Sequence, residues 1–324
     1  MTRSLQLVPV VLTWGALCTM AGAALSRVAV IPHGDFAWDP SLLSNDTQRV
    51  RAEQIHAGCK ALANSIRSAS PPDAVILITP HGAALSHDFG ISLGSAAAGF
   101  AAVGGDLHNS SVQPYAVPLS TPLLESLASD LSTYLTANGA SVQGMLSFGD
   151  SEPAAIRWGE VIPLAFLGDL INGSTTPRLV LWSQPLRRYN DSIAMIPELL
   201  AVGALVGRFL EAWPGRALLL ISSDLSHVHP DPGGAQPYGA NETAANTFDA
   251  AVGAWASTGD ARALERDAAA VAEDALSCGW TGLLIAAGAM AGTGGSPAWV
   301  PQLIAGPVAP TYYGMLVALF EFKA

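Results

Sequence analysis

Short apolar runs alternate with longer amphipathic segments along most of this chain. Runs with the length of buried strands lie at 27–31, 74–79, 87–94, 178–182, 217–223 and 311–322. Apolar residues recur at helical spacing in the segments 47–69, 121–139, 194–213 and 261–292. Continuous apolar strands separated by helices are typical of a sheet that is covered on both faces. The pattern therefore predicts one α/β domain over 27–324, with a mainly parallel or mixed central sheet covered by helices.

Turn-forming residues set the expected boundaries of these elements. In the helix predicted over 121–139, Thr121 is expected to be the N-cap and Pro122 the first helical residue. The stretch 95–111 is rich in Gly, Ala and Ser and predicts a loop. The Gly/Pro-rich stretch 229–240 also predicts a loop. Strand and helix patterns continue on both sides of it, so it does not separate two domains.

The first 26 residues have a different pattern from the rest of the chain. Arg3 is followed by an uncharged, mostly apolar stretch that lasts until Arg27 and includes the small residues Ala-Gly-Ala-Ala at 21–24. A basic start, an apolar middle and a small-residue end are typical of a secretory signal peptide. A retained membrane anchor and a buried helix of the domain are the two alternatives.

Asparagine sequons support the same compartment. Five of the eight asparagines lie in N-x-[ST] sequons, namely Asn45, Asn109, Asn172, Asn190 and Asn241. Chance would place about one there, and the motif marks a surface asparagine in a secreted protein. We therefore expect a glycoprotein of the secretory pathway or the extracellular space, with membrane anchoring as the alternative.

Composition excludes several classes of partner and site. The 324-residue chain carries a net charge of −11 with 13% charged residues, which argues against binding nucleic acid or anionic membranes. No GxGxxG or GxxxxGK[ST] motif points to a nucleotide site. The three cysteines contain no CxxC pair, so the chain is neither a disulfide scaffold nor a zinc finger. Removal of the leader would take Cys18 away and leave Cys59 and Cys278, either paired or as separate thiols.

Three predicted strands end close to a histidine. His33 follows AVIP, His81 follows ILITP, and His227 closes the sequence LISSDLSH. The carboxyl ends of parallel strands meet at one edge of a sheet, where ligands bind. Neutral imidazoles suit Fe, Zn and Cu, and two of them with one anionic ligand leave positions open for substrate and O2. We therefore predict a metal site at this edge, and three unrelated turn histidines are the alternative.

Motifs spread from about 28 to 322 resemble the LigB superfamily. They are PHGD, TPHG followed by HDFGISLG, WGEVIPLAFLG, SSDLSH and YYGMLVALFEF. This superfamily contains the catalytic subunits of class III extradiol dioxygenases and the Memo-type proteins. The resemblance implies that His33 and His81 bind the metal and that His227 is the acid/base residue facing substrate and O2. It further implies an Fe(II)-dependent oxidoreductase that cleaves a catechol-like aromatic.

Two departures from the ring-cleaving members point to the Memo branch. The stretch 274–290 matches the helix that carries their glutamate ligand, but here Cys278 stands at that position. Glu273 and Asp274 lie about one turn upstream and are the alternative ligands. A cysteine there, together with SSDLSH, makes Asp224 and His227 the matching Asp and His of the site. Ring-cleaving members also carry Asp-His-Gly where this chain has Arg-Trp-Gly at 157–159, so a substrate-binding histidine is missing.

These departures define an alternative function. A thiolate at Cys278 is softer than a carboxylate and favours Cu(I) or Zn over iron. The alternative is therefore a Memo-like protein that binds copper or iron and has a redox or scaffolding role without ring cleavage. A disulfide from Cys278 to Cys59 would instead remove the thiolate from the site.

Three further residues have two interpretations each. Asp35 either orients His33, as carboxylates often do for metal-binding histidines, or belongs to a turn. His87 lies in the predicted loop after the second strand and is a candidate for the pocket lining. Trp158 either packs in the core or forms a wall of the pocket. A homo-oligomer is compatible with the sequence.

Overall fold

A computed structural model describes residues 25–104, 113–148, 152–171, 176, 178–231, 234, 236–293 and 299–323. The strands are β1 (Leu25–Ile31), β2 (Ala74–Thr79), β3 (Phe89–Ser92), β4 (Ala96–Val103), β5 (Tyr115–Pro122), β6 (Val142–Met145), β7 (Ala154–Ile156), β8 (Leu179–Ser183), β9 (Ala217–Ser222), β10 (Trp299–Val308) and β11 (Met315–Phe322). The helices are α1 (Asp35–Trp38), α2 (Asp46–Ser68), α3 (Glu125–Ala137), α4 (Trp158–Leu167), α5 (Ile196–Ala212), α6 (Glu242–Thr258), α7 (Ala272–Ala275) and α8 (Trp280–Gly292). Residues 1–24 of the predicted leader (1–26) and the sequons at Asn109 and Asn172 lie outside the described residues. The last two residues of the predicted leader, Leu25 and Ser26, belong to β1.

An eight-stranded mixed sheet forms the centre of the fold, in the order β10-β11-β1-β9-β2-β8-β3-β6. The four middle strands β1, β9, β2 and β8 are parallel to one another. The flanking strand β11 runs antiparallel to β1, and β3 runs antiparallel to β8. The predicted α/β class with a mixed sheet between helices is confirmed.

Two apolar cores cover the two faces of this sheet. All six residues of β2 and all six of β9 are buried, which explains their continuous apolar sequences. Alternate residues of β2 point to opposite cores, since Ile76 packs into one cluster and Leu77 into the other. Residues of α5, α6 and α8 complete the first core, and residues of α2 and α4 complete the second. Both faces are closed, so the strand ends are the place where polar side chains can meet.

The predicted loop over 95–111 is wrong for its first part. Ala96–Val103 forms β4, which pairs with β5 and β7 in a separate three-stranded sheet. Ala97, Ala101 and Val103 are buried at even spacing, but alanine and glycine carry a weak strand signal. Hydrogen-bonded pairing with β5 holds these residues in an extended strand, although their side chains have little strand preference.

The same small sheet changes the start of the next helix. Thr121 and Pro122 lie in β5, opposite Ala97 and Ala96, and α3 begins only at Glu125. The expected N-cap at Thr121 is therefore wrong, because strand pairing holds this residue in an extended conformation. Within the described part of the chain, no helix is long and apolar enough to cross a bilayer.

Candidate metal centre

The sheet order brings the three predicted histidine-bearing strands side by side. Strands β1, β9 and β2 are consecutive and parallel, so their carboxyl ends lie at one edge. His33 follows β1, His81 follows β2, and Asp224 and His227 follow β9. The three histidines that follow these strands therefore converge at this edge, as the sequence predicts.

Cys278 reaches the same edge from the helical layer. It lies in the short connection between α7 and α8, where Leu276 adopts a left-handed φ of 53° and turns the chain. A Cβ at Gly279 would lie 1.9 Å from Oγ of Ser223, so only glycine lets this connection pack against the end of β9. Cys59 and Cys278 are both free, buried thiols, which contradicts the alternative of a disulfide between them.

Three side chains form a candidate metal-binding cluster at this edge. One ligand atom from each of His33, His81 and Cys278 lies within 4.8 Å of the others. Sγ of Cys278 is 3.4 Å from Nε2 of His33, and the two imidazole rings meet edge to face with centroids 4.7 Å apart. Glu273 and Asp274, the sequence-based substitutes for Cys278, are exposed and do not belong to this cluster.

Ser222 fixes the protonation of the His33 ring. Its hydroxyl donates to the backbone carbonyl of Gly159 at 2.5 Å, and its Oγ lies 2.8 Å from Nδ1 of His33. A hydroxyl has a single proton, so Nδ1 must be the donor in the second hydrogen bond. The proton of the neutral ring is therefore on Nδ1, and the lone pair of Nε2 faces the cluster. This is the tautomer that a metal ligand needs.

Burial keeps both histidines of the cluster neutral. It is the largest cause of the lowered pKa values, about 3 for His33 and about 2 for His81, and the neighbouring His227 and Arg188 act in the same direction. Burial also raises the pKa of the Cys278 thiol, so this group carries its proton until a cation replaces it. Neutral imidazoles and a thiol that ionises on binding are suitable ligands for a transition metal.

Asp224 adds a carboxylate to this group of donors. Its Oδ1 accepts a hydrogen bond of 3.1 Å from the backbone N–H of His33, and its Oδ2 lies 3.3 Å from Nε2 of the same residue. Burial raises the pKa of Asp224 to about 6. The ring is neutral with its proton on Nδ1, so this contact is not an ion pair. Sγ of Cys278 and Oδ2 of Asp224 thus both face the lone pair of His33 Nε2, so a proton or a metal cation must lie between these atoms.

His227 lies beside the cluster with one ring nitrogen available. Its Nδ1 donates to the carbonyl of Leu225 at 3.0 Å, which leaves the Nε2 lone pair free in the neutral ring. Burial lowers the pKa of His227, although the Asp224 charge acts in the opposite direction. The ring stacks on Tyr313 with centroids 5.7 Å apart. A neutral, oriented imidazole of this kind is suited to accept a proton.

Two cavities meet at the cluster. A cavity of about 850 Å³ contains His33, His81, Asp224 and His227 in its lining, with aromatic walls formed by Phe36, Phe100, Trp158, Tyr238, Tyr312 and Tyr313. A second cavity of about 550 Å³ is lined by His81, His227 and Cys278, together with Arg188, Tyr189 and Tyr238. Both volumes are large enough for a small aromatic ligand.

The remaining predicted site residues divide between the cavity and the surface. The ring of Trp158 packs over His81 with centroids 5.2 Å apart and forms part of the cavity wall. Asp35 lines the cavity but accepts from the backbone N–H of Gly104, so Ser222 and not Asp35 orients the His33 ring. His87 is exposed and lines neither of the two cavities, so its expected place in the pocket is wrong.

Three of the predicted glycosylation sites lie within the described residues. Asn45, Asn190 and Asn241 are all exposed. Oδ1 of Asn45 caps α2 and Oδ1 of Asn241 caps α6, each by accepting a backbone N–H. A glycan attaches through the side-chain nitrogen, so capping and glycosylation are compatible at both positions.

Replacing Ser222 with alanine should weaken metal binding without removing a ligand. The substitution deletes the acceptor of the Nδ1 proton of His33 and leaves the ring free to change tautomer. We expect metal affinity to fall by about 10- to 100-fold, as for other groups that orient a metal-binding histidine. Competition with a chromophoric chelator measures this change. Unaltered affinity would show that Ser222 does not orient the ring.

Glu160 is a buried carboxyl that sequence reasoning missed. It belongs to α4, accepts a hydrogen bond of 2.8 Å from the backbone N–H of Arg157, and lines a cavity of about 380 Å³ with His81. Burial raises its pKa from 4.5 to about 7. The only signal in the sequence was a glutamate within an otherwise apolar helical run, WGEVIPLAFL.

The pH dependence of stability should change in Glu160→Gln. The folded protein binds the Glu160 proton more tightly than the unfolded chain, so its contribution is present at low pH and is lost as pH rises through about 7. Glutamine keeps the acceptor and cannot ionise. Relative to wild type, the variant should therefore gain about 3 kcal/mol of unfolding free energy between about pH 4 and about pH 8. Urea unfolding of the metal-free protein measures it, and parallel pH curves would contradict it.

The fold and the cluster define an α/β protein with a candidate His–His–Cys metal centre. The chain is similar to a solved structure described as an uncharacterized protein, JW3007, from Escherichia coli K12. The two are 14% identical with a TM-score of 0.51, over 91% of this chain and 99% of the other. This likeness shows the fold alone. No family model matches the chain. No curated protein matches it either.

Proposed function

We propose that this protein is a metal-dependent oxidoreductase of the extradiol dioxygenase type, in line with its resemblance to the LigB superfamily. The observation that carries the proposal is the meeting of His33, His81 and Cys278 beside His227, at the boundary of two cavities. Fe(II) is the proposed metal, and the substrate is a catechol-like aromatic that reacts with O2. A bound metal would supply the open positions that a catecholate and O2 both need.

The residues of this chain have separate roles in the proposed reaction. His33 and His81 contribute neutral nitrogen donors, and Cys278 contributes one negative charge once its proton has left. Aromatic side chains around the 850 Å³ cavity exclude water and provide flat surfaces for a ring. Asp224 holds the backbone of His33 in place through its Oδ1.

His227 handles the proton in this proposal. Ionisation of a substrate hydroxyl requires a base that is unprotonated at neutral pH, and burial keeps the pKa of His227 low. Its Nδ1–H is held by the Leu225 carbonyl, so Nε2 is the atom that accepts the proton. The resulting imidazolium is stabilised by the nearby Asp224 carboxylate, whose charge raises the pKa of His227.

The thiol of Cys278 favours a second candidate function. A cluster of two imidazoles and one thiolate suits Cu(I) or Zn better than a hard-ligand metal. The absence of a histidine at Trp158 also removes a group expected to hold a phenolic substrate. The second candidate is therefore a Memo-like protein that binds copper or iron in a redox or scaffolding role, without ring cleavage.

Elemental analysis with an activity screen separates the two candidates. Iron, copper and zinc are quantified per chain after anaerobic purification, and O2 uptake is then followed with a panel of catechols. About one iron per chain with catechol-dependent O2 uptake supports the dioxygenase. Bound copper, zinc or iron without O2 uptake on any catechol supports the Memo-like protein. A chain that takes up none of the three metals after reconstitution would contradict both.

We also propose that the protein is N-glycosylated in the secretory pathway, at Asn45, Asn190 and Asn241 among the described sequons. Their exposure supports this proposal. Treatment of the protein from a eukaryotic secretory host with an N-glycanase should increase its electrophoretic mobility. The same mobility before and after treatment would contradict glycosylation.

A further inference from the structure

A fourth parallel strand brings an arginine to the same edge. Strand β8 pairs in parallel with β2 and is followed by a short 3-10 turn, Leu186–Tyr189, that contains Arg188. Arg188 is only 5% exposed, yet it lines the 550 Å³ cavity together with His81, His227 and Cys278. A guanidinium thus lies in the wall of the cavity that contains the candidate metal ligands.

The charge of Arg188 is not balanced by a carboxylate among the described ion pairs. Its Nη1 donates to the carbonyl of Pro185 at 3.0 Å, and its Cζ lies 3.9 Å above the centroid of the Tyr189 ring. Its buried Nε has no hydrogen-bond partner among the residues that the structure describes. Glu273 lines the same cavity, but it is exposed and forms no described ion pair with Arg188.

The preceding residue, Arg187, has the carboxylate partner that Arg188 lacks among the described residues. Arg187 donates from Nη2 to both carboxylate oxygens of Glu198, at 2.7 Å each, outside the cavity. Within the described part of the chain Arg188 has no such partner, and a guanidinium remains positively charged even when buried. A buried cation without a counter-ion is costly unless a ligand supplies the missing charge. The missing partner of Arg188 is therefore expected to come from the ligand.

We propose that Arg188 binds the carboxylate of an aromatic acid in the 550 Å³ cavity, with the aromatic ring towards Cys278, His81 and His227. A guanidinium presents a planar fork of N–H donors that matches the two oxygens of a carboxylate. The aromatic rings of Tyr189 and Tyr238 in the same lining provide apolar surface for the ligand ring. That this ligand is the substrate rests on the proposed function, whereas the binding of an aromatic carboxylate does not.

Benzoate and its neutral isostere benzamide test this proposal. Both are titrated by calorimetry into the full-length protein, with and without bound zinc. Comparison of the two forms separates benzoate that coordinates the metal from benzoate that binds to Arg188. We expect benzoate to bind better than benzamide in both forms. We expect Arg188→Gln to lower the affinity for benzoate by at least about tenfold and to leave the affinity for benzamide unchanged. Arg188→Lys should recover part of the affinity, because it keeps the charge and loses the fork.

Arg187→Gln is the matched control, because it removes an adjacent arginine that lies outside the cavity. It should bind benzoate as wild type does. Equal binding of benzoate and benzamide by the wild type would overturn the proposal without any variant. Benzoate binding that appears only with zinc, or that survives in Arg188→Gln, would overturn it as well.

The outcome is distinguishable from that of the proposed function. Benzoate binding through Arg188 with no O2 uptake on any catechol would keep the carboxylate site and reject the dioxygenase. Ring cleavage with no preference for 3,4-dihydroxybenzoate over catechol, and no effect of Arg188→Gln on that ratio, would keep the dioxygenase and reject the carboxylate site.

Discussion

Alanine at either His33 or His81 should abolish stoichiometric metal binding. Each residue supplies one of the three ligand atoms that lie within 4.8 Å of one another, and either variant leaves only one imidazole and the thiol of that cluster. Loss of a group that merely orients a ligand lowers affinity by about 10- to 100-fold, so loss of the ligand itself should exceed that range. Elemental analysis of each purified variant after dialysis measures the metal per chain.

His87→Ala is the matched control, because His87 follows the same strand as His81 but is exposed and lies outside both cavities at the cluster. It should retain the wild-type metal content. A full complement of metal in both His33→Ala and His81→Ala would reject the cluster as a metal site. Thermal unfolding in the presence of chelator separates loss of metal from loss of the fold.

Cys278→Ser distinguishes iron from the softer metals copper and zinc within the same experiment. Serine keeps the size of the side chain but replaces a thiolate by a neutral hydroxyl, which a soft metal binds poorly. Copper or zinc should be lost to nearly the same extent as in the histidine variants. Iron should be lost less completely, because the Asp224 carboxylate lies 3.3 Å from Nε2 of His33 and offers a hard ligand nearby.

The sequence predicted the sheet edge because the signals there are local. Continuous apolar runs such as Ala74–Thr79 can only be buried on both faces, and a polar residue that follows them has to lie at the strand end. That rule placed His33, His81 and His227 at one edge without knowledge of the strand order. The order β1-β9-β2 then makes the three strand ends neighbours, which no local pattern contains.

The parts that the sequence did not predict depend on contacts between distant segments. Ser222 orients His33 from 189 positions away along the chain, and serine at a strand end has no distinctive signal. Strand β4 owes its order to pairing with β5, because its alanines have little strand preference of their own. Arg188 follows a buried parallel strand just as the histidines do. The rule applied to histidines would have found it if it had been applied to every charged residue.

His227→Ala should lower turnover by about 10²- to 10⁴-fold while the metal content stays at the wild-type level, if the protein is the proposed dioxygenase. His227 lies beside the cluster but is not one of its three ligands, so its loss should remove a base and leave the metal site intact. Activity is measured as O2 uptake on the best catechol of the screen, and metal by elemental analysis of the same sample.

The pH profile shows whether His227 acts as a base or only fills space. Burial lowers its pKa, so the wild type should lose kcat/KM on the acid side with a midpoint below the value of 6.5 for a free imidazole. His227→Gln keeps a hydrogen-bonding side chain that cannot titrate, and its residual activity should lack this acid limb. Wild-type turnover in His227→Gln would mean that the proton of the substrate leaves by another route. An acid limb that persists in the variant would assign the titration to a different group. Asp224 is then the carboxyl to test, because its pKa is raised to about 6 and it lines the same cavity.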